Sequence, residues 1–195
     1  MTGPERRRED RAMDVGFIGN GEMADAIMER LRQAGHRLHH DRHGGSAFRD
    51  RAGACDVVMM LLPDSRAVEA ALFADYGSGD NGFGDGGFAA ALAPGALVID
   101  LSCIPPAEAS ANAARLADLG VLLVDAPVPP GPAVAPIITL RGSDAACARA
   151  EPLLRLFTNG VVRAADRKSD DPDGLHRLLR LMAFDGPAEP MLSAS

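Results

Sequence analysis

Asp14-Val15-Gly16-Phe17-Ile18-Gly19-Asn20-Gly21-Glu22-Met23-Ala24 (DVGFIGNGEMA) is the stretch that decides the fold. Asp14 to Gly19 is a short apolar run ending in glycine, the pattern of a buried strand. Ala24 to Ala34 follows with Ile27, Met28 and Leu31 at helical spacing, and Gly35 closes it as a C-cap. Between strand and helix lies G-x-G-x-x-A. Gly19 permits a tight turn, and Gly21 has no Cβ, so a pyrophosphate can approach the backbone. Ala24 is the small residue where the helix meets the strand. The first helical N–H groups and the helix dipole favour negative charge there. Gly19, Asn20, Gly21, Glu22 and Met23 are therefore candidates for holding a dinucleotide.

Outward from this loop, Arg37 to Asp41 reads as a second strand with Asp41 near its end, about twenty residues past the glycines. An acid there accepts hydrogen bonds from ribose hydroxyls and favours NAD. Arg42 beside it pairs with a 2′-phosphate and favours NADP, so the cofactor choice stays open. His39, His40 and His43 crowd the same segment. Strand alternation splits His39 from His40, and no Cys or Glu completes a ligand set. A surface histidine cluster is expected, and no metal.

Further strands are expected at Asp56–Leu62 (stopped by Pro63), Ala96–Leu101, Val121–Asp125, Ile137–Arg141 and Val161–Arg163. Helices are expected at Ser65–Phe73, Pro106–Leu119 and Asp144–Phe157, with Asp144 as N-cap. This alternation predicts an α/β fold of Rossmann type: a doubly wound, mostly parallel sheet with right-handed crossovers. Tyr76 to Phe88, with six glycines, reads as an inserted loop, and the proline-rich Ala126–Pro136 as irregular.

Composition bounds the rest. At 195 residues, 47% hydrophobic and 24% charged, the chain holds one domain with a full core and at most a short appendage. The net charge of −7 does not point to nucleic acid or an anionic membrane. No apolar run approaches the roughly 20 residues of a spanning helix. Cys55, Cys103 and Cys147 form neither a disulfide framework nor a zinc pattern, so a reducing cytoplasm is expected. Residues 1–12 read as a charged, disordered tail, 13–165 as the dinucleotide-binding domain, and 166–195 as a linker and helical tail. Leu175, Leu178, Leu179 and Met182 share one face of that tail, a docking stripe for a second copy or a partner chain. Lys168 is the single lysine beside nineteen arginines.

Four ordered blocks over Met13 to Phe157 resemble the 6-phosphogluconate dehydrogenase-like, or β-hydroxyacid dehydrogenase, family: GFIGNGEMADAI, DVVMMLLPDSRAV, PGALVIDLSCIPP and VDAPVPPG. The opening block alone also looks like pyrroline-5-carboxylate reductase, which DLSC and DAPV do not fit. The resemblance implies NAD or NADP bound at Gly19–Met23, with Asp41 and Arg42 at the adenosine ribose. It places Leu62 and Pro63 along the cofactor, and Ser102 and Cys103 near the nicotinamide and a small-molecule substrate. Pro129 and Gly131 fall where the family holds a substrate carboxylate. It implies hydride transfer to or from a small hydroxy acid, oxo acid or imine.

Three departures accompany it. Thirteen residues, His43 to Cys55, stand where the family has a helix, an edge strand and another helix. Pro129 and Pro130 replace Ser-Gly and remove backbone donors. The family's lysine-bearing helical domain has no counterpart in the 38 residues after Phe157; Arg177 is the loose match to that lysine. Arginine orients and polarises but does not cycle a proton. A catalytically inactive dinucleotide-binding module, or a truncated family member, is the alternative expectation.

Overall fold

The computed structural model describes residues 12–44, 46–73, 87–129 and 136–164. A five-stranded parallel sheet lies at its centre. Its strands are β1 (Asp14–Gly19), β2 (Arg37–Asp41), β3 (Val57–Leu61), β4 (Leu97–Asp100) and β5 (Leu122–Asp125), in the spatial order β2-β1-β3-β4-β5. The chain runs from β1 outward to β2, then crosses back to β3 on the other side of β1. The strand order reverses between β1 and β3, so a crevice opens at the carboxyl ends of these strands. β6 (Ile137–Leu140) and β7 (Gly160–Arg163) form a separate parallel pair, tied to β5 by an antiparallel bridge between Asp125 and Arg141.

Strands buried on both faces need continuous apolar runs, and these have them. Val15 and Phe17 of β1, Met59 of β3 and Ile99 of β4 face one layer, formed by α1 (Glu22–Gln33) and α5 (Asp144–Leu154). Ile18, Val58, Met60 and Val98 face the other, formed by α2 (Ser46–Ala52), α3 (Ser65–Phe73), α4 (Pro106–Asp118) and a 3-10 turn at Phe88–Ala91. Gly16 has a packing reason. A Cβ there would lie 2.7 Å from the ring of Phe48, so the glycine makes room for α2 to seat a wholly buried aromatic on the sheet. Phe48 meets Phe88 edge-on at 5.6 Å.

The shortened β2–β3 connection thus holds one seven-residue helix and no strand among its described residues, leaving β2 at the sheet edge. Three expectations need correction. α1 starts at Glu22, directly after the second glycine of the loop, and not at Ala24. α5 is capped by Ser143, whose hydroxyl accepts the N–H of Ala146, and not by Asp144. It ends at Leu154, with Pro152 in its last turn, short of Phe157. The chain divides after Arg163 into two units. The tail at 1–11, most of the glycine-rich loop (74–86), Gly131, Lys168, Arg177 and the 175–182 stripe lie outside the described residues.

Candidate dinucleotide site at the strand ends

The two glycines of the loop do different work. Gly19 has φ +142°, and a Cβ on it would lie 2.4 Å from the Leu61 carbonyl oxygen of β3. Backbone shape and close packing both exclude a side chain there. Gly21 has φ +97°, yet nothing stands within 4 Å of where its Cβ would be. The space it leaves is open and lies directly before α1. Gly21 is the N-cap of α1, and no side chain caps that end. The first-turn amides therefore have no side-chain cap among the described residues and lie beside open space, the arrangement a pyrophosphate fits. Glu22 and Asp25 put acidic side chains into the same turn.

At the end of β2, Asp41 Oδ1 accepts the N–H groups of His43 (2.9 Å) and Gly44 (2.8 Å). The carboxylate expected at the ribose thus also shapes the turn into α2. Arg42 beside it is exposed. The histidine cluster resolves into two separate contacts: His39 Nε2 lies 3.2 Å from Asp14 Oδ1, and His40 Nε2 lies 2.8 Å from the carbonyl of Gly19. Nothing in the sequence singled out the second contact; alternation gave the face of His40 but not its reach.

Ser102 sits just past β4 but is wholly buried. Its hydroxyl oxygen accepts the N–H of Leu62 at 2.9 Å, and its own N–H donates to Asp100 Oδ1 at 2.9 Å. Ser102 therefore ties the ends of β3 and β4 together rather than presenting its hydroxyl at the surface. Leu62 is buried and Pro63 exposed. Cys103 is exposed, and its thiol donates to the Val128 carbonyl at 3.1 Å. Burial, then the charges of Asp125 and Asp100, push that thiol's pKa up, so it is protonated at neutral pH and a poor nucleophile. Pro129 is exposed.

Asp100 and Asp125 are register partners on β4 and β5. Burial pushes the Asp100 carboxyl up to about 6, against the pull of its hydrogen bonds to Ser102. Asp125 is also raised by burial, offset by Arg141 Nη1 at 2.8 Å. A cavity of about 290 Å³ lies beside α1, lined by Met23, Ile27 and Arg30 together with Val128, Phe157 and Thr158. The Thr158 hydroxyl is buried without a hydrogen-bond partner among the described residues.

Those expected site residues that are described follow the carboxyl ends of β1 to β5, at one end of the sheet. The chain matches the family described as the NAD binding domain of 6-phosphogluconate dehydrogenase over residues 39–165. The chain belongs to this family. The matched span begins past the glycine loop. Among curated proteins the chain is similar to L-threonate dehydrogenase of Cupriavidus necator. The two are 34% identical over 134 residues, which is 62% of this chain and 42% of that protein. It is also similar to 2-hydroxy-3-oxopropionate reductase of Escherichia coli, at 30% over 166 residues, 76% of this chain and 53% of that protein. Its fold resembles that of 3-hydroxyisobutyrate dehydrogenase from Mycobacterium tuberculosis solved with L-serine. That likeness has TM-score 0.63 and 22% identity, covering 79% of this chain and 55% of the other. The chain spans about half the length of the curated relatives it matches. No helix among the described residues is long and apolar enough to cross a membrane.

Proposed function

We propose that this chain binds NAD or NADP along the carboxyl ends of β1–β5 and serves hydride transfer to or from a small hydroxy acid, oxo acid or imine. The open cradle at Gly21, before an uncapped helix N-terminus, is the observation that carries the reading. When bound, the nicotinamide supplies the hydride chemistry. The loop from Gly19 to Met23 receives the pyrophosphate, and its amides neutralise the charge. Asp41 and Arg42 border the adenosine ribose and decide between the two coenzymes. Leu62 and Pro63 line the cofactor's flank. Ser102 fixes the spacing of the β3 and β4 ends, and Cys103, its thiol hydrogen taken by the Val128 carbonyl, borders the substrate without donating to it. Pro129 and Gly131 wall the substrate, and Arg177 orients and polarises it. The reading takes 13–165 as the cofactor domain, the stripe Leu175, Leu178, Leu179 and Met182 as a docking face for a second copy or partner chain, and the cytoplasm as the location.

One observation favours a second reading, a dinucleotide-binding module without turnover. The Ser102 hydroxyl expected to meet substrate is buried and committed to Leu62. Fluorescence titration with NADH and NADPH tests both readings. Binding of neither up to millimolar concentration overturns them together. Binding with no oxidation of either coenzyme, across a panel of small carbonyl and imine substrates, selects the module.

A further inference from the structure

β2 pairs with β1 so that His40 stands opposite Phe17 and Asp41 opposite Ile18. Alternation then turns the two side chains to opposite faces. Asp41 shapes the turn into α2, while His40 leans over β1 on the α1 side, its ring 6.4 Å from that of Phe17. From there its Nε2 reaches the Gly19 carbonyl at 2.8 Å. A carbonyl only accepts, so Nε2 carries the hydrogen and donates.

That carbonyl belongs to the peptide joining Gly19 to Asn20. A trans peptide is planar, with its C=O and N–H pointing in opposite directions. Holding the Gly19 oxygen towards β2 therefore aims the Asn20 N–H away from β2. Turning this peptide rotates ψ of Gly19 and φ of Asn20. Gly19, at positive φ, has no Cβ to resist its half of the turn, so the peptide turns more easily unless something holds its oxygen. His40 is the side chain that holds it.

We infer that His40 is a positioning residue of the dinucleotide site. Through the Gly19 oxygen it fixes the Gly19–Asn20 peptide plane, so that the loop amides are set before the anionic ligand arrives. This rests on the coenzyme-binding reading above. It assigns a task to a side chain that neither touches the ligand nor belongs to the glycine pattern.

Two variants test it. His40→Leu removes the donor, and His40→Gln keeps an N–H donor at similar reach. In unliganded protein, His40→Leu is expected to speed amide hydrogen exchange at residues 20–23 and leave β3 and β4 unchanged. In titrations it is expected to weaken NADH and NADPH binding roughly fivefold, the loss of one net hydrogen bond. His40→Gln is expected to restore most of both effects, which a merely structural disturbance would not do. Wild-type binding that His40→Leu leaves unchanged overturns this role alone, as does a His40→Gln variant that behaves like His40→Leu. A wild type that binds neither coenzyme overturns the functional reading and this role with it.

Discussion

Asp100 should make this protein less stable as pH rises from about 4 to about 6, against the usual behaviour of surface carboxylates. The side chain is 1% exposed and stands beside Asp125 on the next strand. Burial raises its folded-state pKa to about 6 from an ordinary 3.8. Between those values the folded chain keeps a proton that the unfolded chain has released. Stability therefore falls with pH across that window, and the full cost of a buried carboxylate is present above it. A shift of about two units corresponds to about 3 kcal/mol. His36, whose pKa is lowered by burial, acts in the opposite sense: its contribution is lost as pH falls through its ordinary range. Asp14, held down to about 2 by Arg37 and His39, acts only below the window. The difference between wild type and Asp100→Asn cancels these distant groups and leaves Asp100 together with its coupling to Asp125, whose own carboxyl is also raised by burial. Asn keeps an oxygen for the Ser102 N–H, and any fixed cost of its amide is independent of pH. Urea unfolding at intervals from pH 4.5 to 8 should show the variant gaining on the wild type by about 2 kcal/mol as pH rises. Curves that stay parallel within about 0.5 kcal/mol would refute the argument, and with it the claim that Asp100 is buried ionisable.

The two loop glycines should separate stability from binding. Gly19→Ala drives a Cβ into the Leu61 carbonyl and should cost roughly 3 kcal/mol or more, read as a fall in the urea midpoint. Gly21→Ala meets no atom and should cost only about 1 to 2 kcal/mol from its positive φ, yet weaken coenzyme binding more than about tenfold by filling the cradle. Phe48→Ala should cost about 3 to 5 kcal/mol in the same unfolding assay, because Gly16 cannot fill the space the ring leaves.

Much of the fold was legible because its signals are local. β1, the glycine turn and α1 occupy one continuous stretch, and apolar run, turn and helical period each speak there. Alternating strands and helices give a parallel sheet with right-handed crossovers, whereas the order β2-β1-β3-β4-β5 is visible only in the structure. What was hidden depends on atoms distant in sequence. The thirteen residues from His43 to Cys55 leave room for one short helix at most, but do not show that its Phe48 lies on Gly16, thirty-two positions earlier. Ser143 and Asp144 are both good capping residues. Only the extended backbone at Ser143 aims its oxygen at the Ala146 N–H. Ser102 was placed correctly past a strand end, but its pattern carries no sign that its hydroxyl turns inward to Leu62. The His40 contact was hidden for the same reason: its partner is a backbone oxygen, and backbone oxygens leave no mark in a sequence.

The hydrogen bonds along the binding edge show where affinity must come from. Past β3, β4 and β5 the chain keeps pairing with itself: Leu101 N–H with Met60, Ala126 with Asp100, Val128 with Leu101, and Leu62 with the Ser102 hydroxyl. Asp41 and Cys103 also spend donors or acceptors on neighbouring backbone. These groups are already hydrogen-bonded within the chain, so they offer a ligand shape more than new hydrogen bonds. The first turn of α1 is different, since its amides have no side-chain cap and face open space at Gly21. A ligand that brings negative charge to that turn gains what the rest of the edge cannot give. Recognition at this edge should therefore begin at the phosphates, with the turn at Asp41 and Arg42 sorting the nucleotide. A fragment such as ADP should then retain most of the coenzyme's binding, whereas nicotinamide mononucleotide should retain little.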